Sequence, residues 1–457
     1  MRRAVFAGVL LLGALVAAYG YAVTRREADY RRQLLVGDAV AARGDFSGAI
    51  EAFSGAILLK PDSMAAHLKR GDAYRRRDEL EPALRDLLRA AELDTSAPRP
   101  RELLGDVSFA LGRYERAAEW YREYVALDDS SHRLFYKLGL AQYRAAQPSA
   151  CVTALDSATE LQNDSSETLY LLGLCLRDAK KPKEALAALE RAVALAPAML
   201  QSREELADAY HRVGRIDDWI AQLGALVALD PGPSREVALG LAHATSGDSM
   251  SAVQVLSRAA RRYPDYRYTY VVLGRVWLEL ARDDGTALNK AIEALQKAAG
   301  AEDNGEALML SGRALLLAGS VEMAERALQQ ATERLPVEPA AFAYLADAAE
   351  RLGHLDVARE ALIDYDSLVP DAGDRRRTVR IASRIAELSM RLEDPGTALV
   401  WYQRIATGAT PDAALLIRMA EAHWASGNAA AARPLLDKGL TLEPANSTGL
   451  ALKRKLR

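Results

Sequence analysis

Small and apolar residues recur along this chain at a fixed interval, with polar residues filling the spaces between them. Glycine stands at 37, 71, 105, 139 and 173, each 34 residues after the last. A second small residue follows twelve places later, at Ala49, Ala83, Ala117, Cys151 and Ala185. The first interval reads Gly37, Ala49, Phe53, Ala56, Pro61, and the fifth reads Leu172, Gly173, Ala185, Leu189, Ala192, Pro197. No stretch shows the polar–apolar alternation and β-branched enrichment of a strand. Each interval predicts two helices joined by a turn. The small residues mark where the second helix crosses the first closely, and large apolar side chains fill the gaps around the crossing. Proline closes the unit because it has no N–H to donate and disfavours helix in the residue before it.

The register drifts but continues to the C-terminus. Unit six puts Ala207 in place of the glycine and keeps Tyr210, Gly214 and Pro231. Units seven and nine restore the glycine at Gly240 and Gly312, followed by Ala252 with Leu256 and by Ala324 with Leu328. Unit eight has Gly274, then an insertion of five residues near Asp283, Asp284 and Gly285 before Ala291 and Leu295 resume. Unit ten carries Ala346, unit eleven Ala386 and Tyr402 after a polar interruption from Gly373 to Thr378, and unit twelve Ala420, Gly427 and Pro444. A 34-residue period over about twelve such units resembles the tetratricopeptide repeat family, and the resemblance covers nearly everything after residue 30. It implies an all-α, right-handed superhelical solenoid over residues 30–446, in which each unit buries its face against its neighbours. It further implies a protein-binding scaffold without enzymatic activity. The basic end, Lys453-Arg454-Lys455-Leu456-Arg457, falls in a capping segment over 447–457 that presents a polar outer face.

The N-terminus departs from the period. Ala4 to Val23 is uncharged and is flanked by Arg2–Arg3 and Arg25–Arg26. A helix of about twenty residues rises roughly 30 Å, the thickness of a hydrocarbon core. One reading is an uncleaved membrane anchor over 1–24; the other is a signal peptide cleaved near Ala18-Tyr19-Gly20. The run exceeds the 7–15 residues of a usual signal core, which favours the anchor. Arg25, Arg26, Arg31 and Arg32 after the span argue for a cytoplasmic solenoid. The basic start followed at once by an apolar core argues for export, and we take the extracytoplasmic or periplasmic side. Membrane-anchored lipopolysaccharide-assembly proteins of bacteria share the anchor-then-repeats layout but finish in a four-cysteine metal knuckle, which this chain lacks.

Composition changes the picture little. Half of the residues are hydrophobic, enough for a large core, and a net charge of −3 exerts no pull toward nucleic acid or anionic membrane. The two cysteines, Cys151 and Cys175, fall on neighbouring helices, where a disulfide is geometrically open in an oxidising compartment; we read them as two small buried apolar residues. No phosphate-cradling loop, His-Glu-x-x-His or nucleophile elbow occurs, and the six histidines are scattered singly, so no catalytic residue, metal, cofactor or small-molecule substrate is expected. Arg75-Arg76-Arg77 suits a helix C-terminus, and Arg375-Arg376-Arg377 falls in the polar interruption as a solvated linker.

The candidate binding residues follow from the family resemblance, which lines a concave groove with first helices. One residue past the glycine turns about 100° toward that groove. In units one to three this residue is Asp38, Asp72 and Asp106. In units four and five the groove positions hold Tyr136, Tyr143 and Tyr170, with Leu140 and Leu174 next to the glycines. Three stacked carboxylates expect a basic, extended protein or peptide segment, and the tyrosines an apolar or aromatic residue of the same ligand. The alternative is aspartates paired with Lys69, Arg75 or Arg76 and tyrosines that are part of the core. The lysine–arginine clamp that co-chaperone members use for a C-terminal carboxylate is not reproduced. The function expected is a membrane-tethered scaffold for partner proteins, in envelope biogenesis or secretion; the alternative is a self-associating spacer between membrane complexes.

Overall fold

The structure, a computed structural model, describes residues 2–281, 285–300, 304–369, 374–407 and 410–456, with side chains described from residue 10 onward. It contains twenty-five helices and no strand among those residues. Two compact units divide the chain, Met1–Leu229 and Asp230–Arg457. The first holds α1 (Arg2–Ala42), α2 (Phe46–Leu59), α3 (Met64–Arg76), α4 (Leu80–Leu93), α5 (Pro98–Ala110), α6 (Tyr114–Val125), α7 (His132–Arg144), α8 (Pro148–Leu161), α9 (Ser166–Asp178), α10 (Pro182–Leu195), α11 (Leu200–Arg212) and α12 (Ile216–Leu229). The second holds α13 (Pro233–Thr245), α14 (Ser249–Arg262), α15 (Tyr268–Leu280), α16 (Gly285–Ala299), α17 (Gly305–Leu317), α18 (Val321–Thr332), α19 (Pro339–Leu352), α20 (Leu355–Leu368), α21 (Arg375–Arg391), α22 (Pro395–Ala406), α23 (Ala413–Ala425), α24 (Ala429–Leu442) and α25 (Ser447–Lys455). Within each unit, every helix packs against the next one along the chain.

Local sequence explains where these helices begin. Asp45 and Ser63 cap α2 and α3 by accepting from the backbone N–H of Gly48 and Ala66. Proline occupies the first turn of α5, α8 and α10, where its missing N–H costs nothing. The helix pairs are set by the glycines, but each glycine answers to the residue sixteen places on rather than to the small residue twelve places on. A Cβ at Gly37 would enter the Phe53 ring, and Gly139, Gly173 and Gly240 lie equally close to Leu155, Leu189 and Leu256. The intervening alanines, Ala49 and Ala83 among them, are fully buried one turn earlier. In unit eight the partner of Gly274 is Leu295, five places later than the rule requires. The expected insertion accounts for that offset, and its Asp283 and Asp284 lie outside the described residues.

Three expectations are corrected. The first is the membrane anchor. Helix α1 runs unbroken from Arg2 to Ala42, through the boundary between an anchor over 1–24 and the first repeat. Among the described residues no helix is long and apolar enough to cross a membrane. The single-pass anchor and the side of the membrane derived from it are therefore overturned. From Leu10 to Val23 the large apolar side chains are exposed, and packing begins at Tyr30, which is buried with Ala56 and Ala66. Second, Cys151 on α8 and Cys175 on α9 are joined by a disulfide with a Cα–Cα distance of 6.0 Å, which ties unit four to unit five. Third, Arg375 to Arg377 are not linker: Asp374 caps α21 and the arginines form its first turn. At the other end, α25 lays Leu452 and Leu456 on the core beside Ile417 and Leu440, with Lys453, Arg454 and Lys455 facing outward.

Candidate functional site

All six candidate residues belong to the first unit and lie on its first helices: Asp38 on α1, Asp72 on α3, Asp106 on α5, Tyr136 and Tyr143 on α7, and Tyr170 on α9. The structure separates them into a charged part and an aromatic part.

In the charged part each carboxylate already holds a cation. Asp38 accepts from Lys69 Nζ at 2.6 Å. Asp72 accepts from Arg75 at 2.6 Å and from Arg76 at 3.0 Å, both on its own helix. Asp106 accepts from Lys137 Nζ and from the Tyr121 hydroxyl, each at 2.7 Å. Next to it, the buried Glu102 takes Arg99, Arg133 and Lys137. Burial by itself would raise the Glu102 carboxyl, but hydrogen bonds from Arg133 and Lys137 outweigh it and hold the group down to about 2. The Tyr121 hydroxyl is pushed upward by burial and by the Asp106 carboxylate. Four carboxylates thus face six cationic side chains, and the unpaired negative stripe expected of the sequence is not formed. Asp38 and Asp72 do share one open cleft of about 360 Å³, but Lys69, Arg76 and Arg99 line it with them, above Phe46 and Leu68.

The same register recurs in the second unit. Lys69 and Lys137 stand two residues before the glycines of units two and four, each pairing with the carboxylate one past the preceding glycine. Asp347 with Arg384, at 2.8 Å, and Glu387 with Arg418 occupy the equivalent positions around Ala346, Ala386 and Ala420. The ion pair is therefore a staple between successive first helices. The sequence holds the signal for it in the repeat columns, a carboxylate one past the glycine position and a cation two before the next one, but Lys137 is missed when only one column is read.

The aromatic part is different. Tyr136, Tyr143 and Tyr170 are half-buried and pack, with Leu140, on a core cluster of Val152, Leu171, Leu174 and the Cys151–Cys175 pair. The disulfide thus lies in the layer that supports them. No hydrogen-bond partner is recorded for any of the three hydroxyls among the described residues. Burial raises the Tyr136 hydroxyl, with Glu167 adding to it, and burial followed by Glu205 and the neighbouring Tyr143 raises that of Tyr170. The Tyr136 and Tyr170 hydroxyls therefore stay protonated at neutral pH, and a phenol hydroxyl can both donate and accept. Among the described residues no group of His, Cys, Asp and Glu is arranged to hold a metal ion.

Comparison with known proteins agrees with the period. The family profile described as tetratricopeptide repeat matches residues 34–100, 83–132 and 318–372. A profile for subunit 3 of the anaphase-promoting complex, or cyclosome, matches 112–192. Small glutamine-rich tetratricopeptide repeat-containing protein 2 of Mycosarcoma maydis is 31% identical over 115 residues, 25% of this chain and 32% of that protein. The chain thus spans about a third of the length of the curated relative it matches. Among solved structures, YrrB, described as a TPR protein with an unusual peptide-binding site, is 23% identical over 43% of this chain and 99% of its own, with a TM-score of 0.39. The MamA protein is 22% identical over 36% and 91%, with a TM-score of 0.35. Residues 34–132 and 318–372 thus match tetratricopeptide repeats, a module that generally mediates protein–protein interaction.

Proposed function

We propose that the chain is a non-enzymatic scaffold that binds an extended segment of a partner protein across the first helices of its first unit, with Tyr136, Tyr143 and Tyr170 as the contact surface. One observation carries this reading: three half-buried tyrosines pack on one core cluster, and among the described residues their hydroxyls have no partner. Tyrosine gives large contact area for few rotatable bonds and is enriched at binding hot spots. A free hydroxyl can pair with the backbone of an extended ligand, whatever its sequence. Asp38, Asp72 and Asp106 stand on the preceding first helices in ion pairs, and a basic ligand would have to displace Lys69, Arg75, Arg76 or Lys137 to reach them.

Site-specific photo-crosslinking tests the assignment. A benzoylphenylalanine placed at 143 or 170 in the full chain is expected to capture the same partner in host cells. The same probe at Glu119 on α6 or Glu160 on α8, both on second helices, is expected to capture none. The triple change of the tyrosines to phenylalanine keeps the packing and should weaken capture by removing the hydroxyls alone. Equal adducts at first-helix and second-helix positions would refute the surface.

A further inference from the structure

Beside the tyrosines, α9, α10 and α11 enclose a second cavity of about 340 Å³. Its walls are Leu189, Ala209 and Val213, and Arg177, Lys180 and Arg212 stand at its rim. Leu189 belongs to the same core cluster on which Tyr170 packs, and Arg177 lies two turns after Tyr170 on α9, so the cavity continues the tyrosine surface. The volume is at the low end for ligand sites, about 300–1,000 Å³, and suits one or two large apolar side chains.

The rim charges decide what accompanies them. Arg177 is committed, donating to Asp178 at 2.9 Å and to Glu205 at 2.7 Å. Lys181 is taken by Glu184 at 3.2 Å. Among the described residues Lys180 has no carboxylate partner, and Arg212 donates from its Nε to the Asp208 carbonyl at 3.2 Å and to no carboxylate. Two cations without carboxylates therefore flank an apolar cavity. The Lys180 backbone lies in the left-handed region, at φ 60°, as do Asp78 and Ala146 at the matching turns and the glycines at Gly44, Gly112 and Gly214.

We infer that this cavity receives a large apolar side chain of the partner segment while Lys180 and Arg212 hold an adjacent carboxylate, so that the partner is an acidic segment bearing a bulky apolar residue. The inference rests on the tyrosine surface proposed above and names the chemistry of its ligand. It reverses the sequence expectation of a basic ligand, because the aspartates that motivated it are neutralised whereas these two cations are not.

Phage display of random twelve-residue peptides against the full chain tests it, with the enriched peptides then synthesised and titrated. Enrichment of Leu, Ile, Met or Phe within two positions of Asp or Glu is expected. Lys180→Glu with Arg212→Glu should weaken such a peptide about tenfold or more and flatten its salt dependence, and Val213→Asp should weaken it through the cavity wall. Lys180→Gly separates binding from folding: it should raise the urea midpoint by relieving the backbone, yet weaken the peptide. Enriched peptides without the acidic–apolar pairing, or an affinity unchanged in the double charge variant, overturn the inference. If such a peptide still depends on the three tyrosines, the proposed surface stands and only its ligand chemistry falls. If it depends on Lys180 and Arg212 but not on the tyrosines, the surface falls instead. A screen that enriches nothing overturns both.

Discussion

Two glycines make a paired test of what sets the repeat geometry. Gly105 and Gly224 both sit inside helices, α5 and α12, and replacing a helical glycine by alanine is worth about 0.5–1 kcal/mol through backbone entropy. At Gly224 a Cβ meets nothing within 4 Å, so that gain should appear in full. At Gly105 a Cβ would lie 2.6 Å from Cδ1 of Tyr121, where carbon atoms at best separation stand about 3.5–4.0 Å apart. The ring has nowhere to go. It is 2% exposed, and its hydroxyl is tied to Asp106. Overpacking costs about 1–3 kcal/mol, and a rigid ring puts this case in the upper half, so the clash outweighs the helix gain. Gly105→Ala is expected to destabilise by about 1–2 kcal/mol, while Gly224→Ala stabilises. Because a repeat array is held by nearest-neighbour contacts, the loss should stay near the helices around α5 and α6. Hydrogen exchange resolved by helix reads it: amides of α5 and α6 should open about tenfold more often in the first variant, and those of α12 less often in the second. If Gly105→Ala protects α5 as well as wild type does, the Tyr121 contact does not set the spacing of that pair.

Other outcomes follow from the same contacts. Cys151→Ala with Cys175→Ala should lower stability by about 3 kcal/mol, the loop-closure contribution for a sequence separation of 24; a change in urea unfolding below about 1 kcal/mol would contradict it. Glu102 titrates at about 2 in the folded chain against 4.5 ordinarily, so its contribution is complete above pH 4.5 and is lost as pH falls toward 2. By linkage this amounts to about 2 kcal/mol between pH 6 and pH 3, and Glu102→Gln should remove that part of the acid sensitivity in urea titrations at the two pH values. Replacing Asp38, Asp72 and Asp106 together by asparagine removes partly exposed pairs worth about 0–1 kcal/mol each. The loss should shrink in high salt, and a loss unaffected by salt would show that the pairs do not act through charge.

Much of this fold was written in the repeat columns. The glycine period located the helix pairs through Gly312 and Leu328, and the five-residue offset in unit eight was readable before Leu295 was seen against Gly274. That legibility has a physical cause: each unit is specified by contacts within itself and to its neighbours, so one short pattern repeats wherever the same crossing recurs. The six candidate residues were likewise placed on one series of helices by their offset from the glycine. Their chemistry was not. Whether Asp106 is a free charge or half of a pair depends on Lys137 reaching back 31 residues along a stacked neighbour. Whether two cysteines are apolar filler or a covalent tie depends on a 6.0 Å approach between α8 and α9. The N-terminal run read as a separate anchor, yet nothing in it stops a helix, and the structure continues α1 without interruption into the first repeat. Period and small residues determined the helices and their order; side-chain distances across helix junctions, which no column of a single sequence contains, decided the charge of the surface and the tie that holds it.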